Sequence, residues 1–169
     1  MTSVSQSVAA PGKDASSPDS KQGAPPSVVD PSGPFDAVPS VTLLEKADVR
    51  VSPSGSAAVS ILARGEEAFV ARLEMKPGAV VPEHRDATEE YIHVLEGTGT
   101  VTVAGTDYRV RPGSTIFMRP GEPVSFRNGH APMVALQVFA GPEPAAKYDS
   151  WELVSRDGQP LNANLLDAL

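Results

Sequence analysis

One short stretch, residues 78–97, concentrates side chains able to coordinate a cation or move a proton. His84 and Asp86 stand two apart, so on an extended backbone both side chains point to one face. Glu90 opens the next apolar run, Glu90–Glu96, after a tight connection through residues 87–89. Hairpin pairing of the two runs would bring Glu90 beside that face. One imidazole and two carboxylates enclosed in a folded domain call for a cation, because uncompensated buried charge is costly. A set of one nitrogen and two oxygen donors suits a divalent transition metal (Mn, Fe, Zn, Ni or Co) rather than a soft one. A metal-free arrangement is equally open at this point: Asp86 can accept a hydrogen bond from His84 or from a turn amide. Glu90 follows Glu89, and one of the two can face solvent.

The elements that must hold these groups are short strands. From Val41 to Phe139, apolar and polar residues alternate at period two between turns spaced eight to twelve residues apart. Phe69, Ala71, Leu73 and Met75 share one face, while Val70, Arg72 and Glu74 share the other. Val101 and Val103 alternate with threonines, Tyr108 and Val110 with Asp107 and Arg109, and Val134, Leu136 and Val138 repeat the pattern. Pro77-Gly78, Ala104-Gly105, Pro112-Gly113, Pro120-Gly121 and Asn128-Gly129 supply turn chemistry. No helical period competes in this span. The pattern predicts an all-β antiparallel sandwich or barrel.

The stretch from Gly78 to Gly97 resembles the first motif of the cupin superfamily: Gly, five residues, His-x-His, three or four residues, Glu, six residues, Gly. Gly78, His84, Glu90 and Gly97 match, and Asp86 stands where the second His belongs. Residues 113–128 resemble the second motif through Gly113, Gly121, Pro123, Phe126 and Asn128. Arg119 there replaces a Pro, and Val124 replaces the metal-binding His. The resemblance spans roughly residues 68–140. It implies a double-stranded β-helix (jelly-roll) barrel of the small single-domain cupin type, commonly a homodimer, with a metal near its centre. Carried over residue by residue, it gives His84 and Glu90 as ligands and Asp86 as a substitute ligand or a catalytic general base. Val124, Arg119 and Phe126 are then the expected substrate-pocket residues, with Arg119 able to clamp a carboxylate at the barrel mouth or simply to be solvated.

The ends of the chain read differently. Residues 1–40 hold nine Ser, seven Pro and three Gly with few large apolar side chains, which predicts a disordered tail ahead of a barrel at 41–141. Residues 142–169 form an irregular or short helical extension whose Trp151, Leu165, Leu166 and Leu169 can pack on the barrel or a partner. With 169 residues and a net charge of −7, the chain offers no electrostatic reason to bind nucleic acid or anionic membranes. The absence of cysteine excludes disulfides, thiol catalysis and thiolate-held metals. No apolar run is long enough to span a bilayer. No secretory signal is visible, which favours a cytoplasmic location. His93, on the opposite face of its strand from Glu90, reads as a packing or dimer-contact residue beside Tyr91 and Leu95. His130 reads as a solvated loop residue, and Phe69, Tyr108, Phe117, Phe126 and Phe139 as core first and pocket lining second. Three functions fit: a metal-dependent enzyme (oxygenase, isomerase or decarboxylase type) on a small polar molecule, a non-catalytic small-molecule-binding or sensory barrel, and a structural dimer module.

Overall fold

The computed structural model describes residues 41–161. The proline-rich residues 1–40, and Leu165, Leu166 and Leu169, lie outside the described residues.

A 3-10 turn at Leu44–Lys46 leads into twelve strands: β1 (Asp48–Val51), β2 (Ala57–Arg64), β3 (Ala68–Met75), β4 (Val80–His84), β5 (Glu89–Glu96), β6 (Gly99–Val103), β7 (Thr106–Val110), β8 (Thr115–Met118), β9 (Val124–Asn128), β10 (Met133–Ala140), β11 (Glu152–Arg156) and β12 (Gln159–Pro160). They form two antiparallel sheets, an eight-stranded one ordered β12-β11-β1-β2-β3-β10-β5-β8 and a four-stranded one ordered β4-β9-β6-β7. Period-two patterning produces this directly, since a strand with one apolar face is stable only against a second sheet. The β6–β7 hairpin closes through Ala104 and Gly105, both at positive φ, as a two-residue turn between right-twisting strands requires.

The core lies between the sheets. Phe69, Ala71, Leu73 and Met75 of β3 face inward as their alternation predicts, and Phe69, Val59, Val94, Met133 and Phe139 are almost fully buried. In β10 the inward face is Met133, Ala135, Gln137 and Phe139; Leu136 and Val138 point the other way and are only partly covered. Tyr108 and Phe117, expected in the core, are instead exposed on the outer surface. Phe117 stacks there on Tyr91 at 4.9 Å between ring centroids.

Two connections depart from the sequence expectation. β4 and β5 do not pair as a hairpin: β4 pairs with β9 in the small sheet, and β5 lies between β10 and β8 in the large one. Residues 85–88 therefore carry the chain from one wall of the barrel to the other. The segment after Gly141 is more regular than expected. It holds a 3-10 turn at Ala146–Tyr148 and then β11, which pairs with β1 and extends the large sheet. Tyr148 plugs the barrel end, 2% exposed, with its ring against Phe69 at 5.5 Å, Phe139 at 5.9 Å and Trp151 at 4.8 Å. Each such aromatic contact contributes about 0.5–1.5 kcal/mol beyond its area burial.

Candidate metal centre and barrel cavity

His84 ends β4, opposite Val124 of β9, and its orientation is set by its own strand. Nδ1 lies 3.0 Å from the Pro82 carbonyl oxygen, which can only accept, so Nδ1 carries the proton. Nε2 faces Asp86 Oδ2 at 3.4 Å, donating to that carboxylate when the ring is protonated and offering its lone pair when the ring is neutral. A metal-ligating imidazole needs that tautomer: one nitrogen donating to a backbone carbonyl, the other lone pair free. Asp86 lies just beyond β4 in the crossing segment. Its carbonyl accepts from Gly121 N–H at 2.8 Å, and the neighbouring Arg85 guanidinium donates to the Gly121 carbonyl. The β8–β9 turn thus pins the segment in place.

Glu90 points inward from β5 and is 3% exposed. Its Oε1 accepts from Gln137 Nε2, and Gln137 Oε1 in turn accepts from the Tyr148 hydroxyl, all three groups being buried. One nitrogen of His84 and one carboxylate oxygen each of Asp86 and Glu90 lie within 4.8 Å of one another. Donors so close can share one ion, and the imidazole–carboxylate composition and the His84 tautomer fit a divalent transition metal.

A fourth group enters from the far end of the chain. Lys147, on the 3-10 turn, places its Nζ 3.0 Å from Asp86 Oδ2 and 3.7 Å from Glu90 Oε2, over the Phe139 ring at 4.2 Å from its centroid. The positive charge that two enclosed carboxylates demand is present in the chain itself, and it shapes the protonation equilibria of the cluster. Burial pushes the Asp86 carboxyl up, but the His84 hydrogen bond and the Lys147 ammonium together outweigh it and hold the group well below the carboxylate range. The hydrogen bond to Asp86 raises His84 despite partial burial and the nearby ammonium. Burial raises Glu90 above its ordinary value, partly offset by Lys147 and Gln137. Burial, then the charges of Glu90 and Asp86, raise the Tyr148 hydroxyl far above its ordinary value. Held ionised by His84 and Lys147, Asp86 is placed to coordinate a cation or to pair with one.

His84, Glu90, Gln137 and Lys147 supply polar lining to a cavity of about 210 Å³. Its other walls are mainly apolar, including Leu73, Met75, Ile92, Val101, Ile116, Met118 and Trp151, with Ser52, Ser54 and Ser56 of the β1–β2 turn along one side. Val124 and Phe126 line this cavity. Arg119 does not. Its guanidinium is exposed, pairs with Glu122 at 3.4 Å and lies on a separate outer groove between β7 and β8, because it follows the last inward residue of β8. His93 is exposed beside Thr115, 2.9 Å from its hydroxyl, and Leu95 shares that outer face. Gln137, Lys147 and Tyr148 were not identified from the sequence. Gln137 carried a signal, a polar residue in phase with Phe139; Lys147 and Tyr148 sit where no periodicity marks them.

Comparison with known proteins agrees with this architecture. The family profile described as "Cupin domain" matches residues 71–139. An RmlC-like cupin from Shewanella frigidimarina superimposes with a TM-score of 0.57 at 16% identity, covering 62% of this chain and 93% of that one. A predicted oxalate decarboxylase from Thermotoga maritima gives 0.51 at 24% identity, covering 60% and 97%. The DMSP lyase DddQ from Ruegeria pomeroyi gives 0.50 at 22% identity, covering 56% of each chain. No curated protein matches the sequence. These likenesses show the fold: the barrel of this chain has the cupin fold, and its residues 71–139 match the cupin-domain profile.

Proposed function

We propose that the barrel binds a small molecule with an apolar body and one oxygen-bearing head, and that His84, Asp86 and Glu90 hold a divalent transition metal against which the head lies. The observation carrying this reading is the convergence of three donor atoms within 4.8 Å, two of whose residues, His84 and Glu90, line a mainly apolar cavity of about 210 Å³. A metal bound there supplies Lewis acidity toward a carbonyl or carboxylate oxygen. The chain's residues do the rest. Pro82 fixes the imidazole tautomer, and the Tyr148–Gln137 pair aims the Glu90 carboxylate. Val124, where the family pattern has a His, leaves room for the head group. Oxygenase, isomerase and decarboxylase chemistries all begin from such a polarised oxygen, and the fold does not choose among them.

Titration of chelator-stripped protein with Zn²⁺, Ni²⁺ or Mn²⁺ tests the reading. About one ion per chain is expected, with binding lost in Glu90→Gln and His84→Ala. Binding no stronger in the native chain than in Glu90→Gln would refute it.

A second reading rests on Lys147. Its ammonium already neutralises the carboxylates, which supports a non-catalytic barrel that holds its ligand without metal. On that reading, chelator-treated protein binds its small molecule as well as untreated protein does.

A further inference from the structure

We infer that Lys147 is a built-in competitor for the metal: its ammonium fills the His84–Asp86–Glu90 cluster when no ion is there and must withdraw for one to enter. The inference rests on the metal reading above and adds to it a residue outside the ligand set. Nζ contacts the same two carboxylates that a bound ion would share, at 3.0 Å from Asp86 and 3.7 Å from Glu90. Two cations drawing on one pair of carboxylates repel each other strongly at such separations. Occupancy by one therefore opposes occupancy by the other.

The geometry lets the head move while the backbone stays. Tyr148, next in sequence, is locked in the aromatic core. Arg50 Nη1 donates to the carbonyls of Tyr148 at 3.2 Å and Trp151 at 3.0 Å, tying the turn to β1. The ammonium lies over the Phe139 ring, 4.2 Å from its centroid, and the side chain keeps 30% of its surface exposed. A rotation about the four-carbon stem carries the ammonium into solvent without unpacking the turn. Metal uptake is then an exchange, in which the ion gains the two carboxylates as the lysine gains water.

Two measurements test this. Lys147→Met keeps the stem's bulk and removes the charge, and it is expected to bind Zn²⁺ at least tenfold more tightly than the native chain. Lys147→Arg, which keeps the charge, is expected to gain nothing. In the unmutated protein, amine labelling followed by peptide mass spectrometry is expected to show Lys147 reacting faster when Zn²⁺ is saturating, with Lys46 as the internal reference. Equal Zn²⁺ affinity in native and Lys147→Met protein, both abolished by Glu90→Gln, overturns the inference and leaves the metal reading standing. Labelling of Lys147 that is unchanged or slowed by bound Zn²⁺ likewise overturns it. Absence of Zn²⁺ binding in native and Lys147→Met protein alike refutes the metal reading, and the inference falls with it.

Discussion

At the scale of single residues, the centre is a contest between one nitrogen, two carboxylates and one ammonium. His84 reports on it through pH. Its folded pKa is raised above the ordinary 6.5, chiefly by the hydrogen bond to Asp86. The stability this contributes is fully present below 6.5 and is lost as pH rises through the folded value. Metal-free protein, with chelator present, is therefore expected to show a urea midpoint that falls between pH 6 and pH 8. His84→Gln is expected to fall less over the same interval; Glu90, raised by burial, loses its contribution the same way in both proteins. Parallel pH profiles for the two would contradict the His84–Asp86 pairing. The three donors were readable because they lie within seven residues of one another, where strand parity alone relates them. Asp86 was expected to need a cation, and the structure supplies an ammonium from Lys147, 61 positions away. No local pattern announces a partner that only the closed fold brings near.

At the scale of elements, the site depends on two strands from opposite walls and on the glycine that lets the chain turn after the second of them. Gly97 ends β5 with φ at +82°, and a Cβ there would stand 2.5 Å from the Pro132 carbonyl oxygen and 2.8 Å from Met133 Cα. Both neighbours are backbone at the start of β10, the strand that carries Gln137, so neither can yield cheaply. Left-handed backbone alone costs a non-glycine residue about 1–2 kcal/mol, and the overlap adds to it. Gly97→Ala is expected to destabilise the protein by about 2 kcal/mol or more in urea unfolding, with an unchanged slope. A midpoint equal to the native one would mean that the β5–β10 approach is looser than described. The strand pattern was legible from period-two alternation, and the spacing from Gly78 to Gly97 placed this turn. The pairing was not. Alternation says which face is buried without saying which strand lies alongside, so β4 and β5 read as a hairpin when they belong to different sheets. Tyr108 and Phe117 were misplaced for a related reason: aromatic residues suit either face of an edge strand, and these two lie on β7 and β8, at the edges of their sheets.

At the scale of the whole molecule, the C-terminal segment completes both the barrel and the site. β11 extends the large sheet beside β1, Tyr148 seals the core, and Lys147 reaches the carboxylates from the same turn. In the sequence the alternating pattern stops after Phe139, which hides the part that the C-terminal segment plays in the site. Short elements such as a three-residue turn and a five-residue strand leave too little periodicity to read. Among the described residues, no helix is long and apolar enough to cross a membrane. The central claim, that the enclosed nitrogen and oxygens hold one transition-metal ion, is tested most directly by anomalous diffraction at the zinc edge from crystals soaked in Zn²⁺. The account predicts a single strong peak inside the barrel, bounded by His84 Nε2 and the carboxylates of Asp86 and Glu90. A barrel interior without a peak, or a peak elsewhere with those three side chains undisturbed, would contradict it.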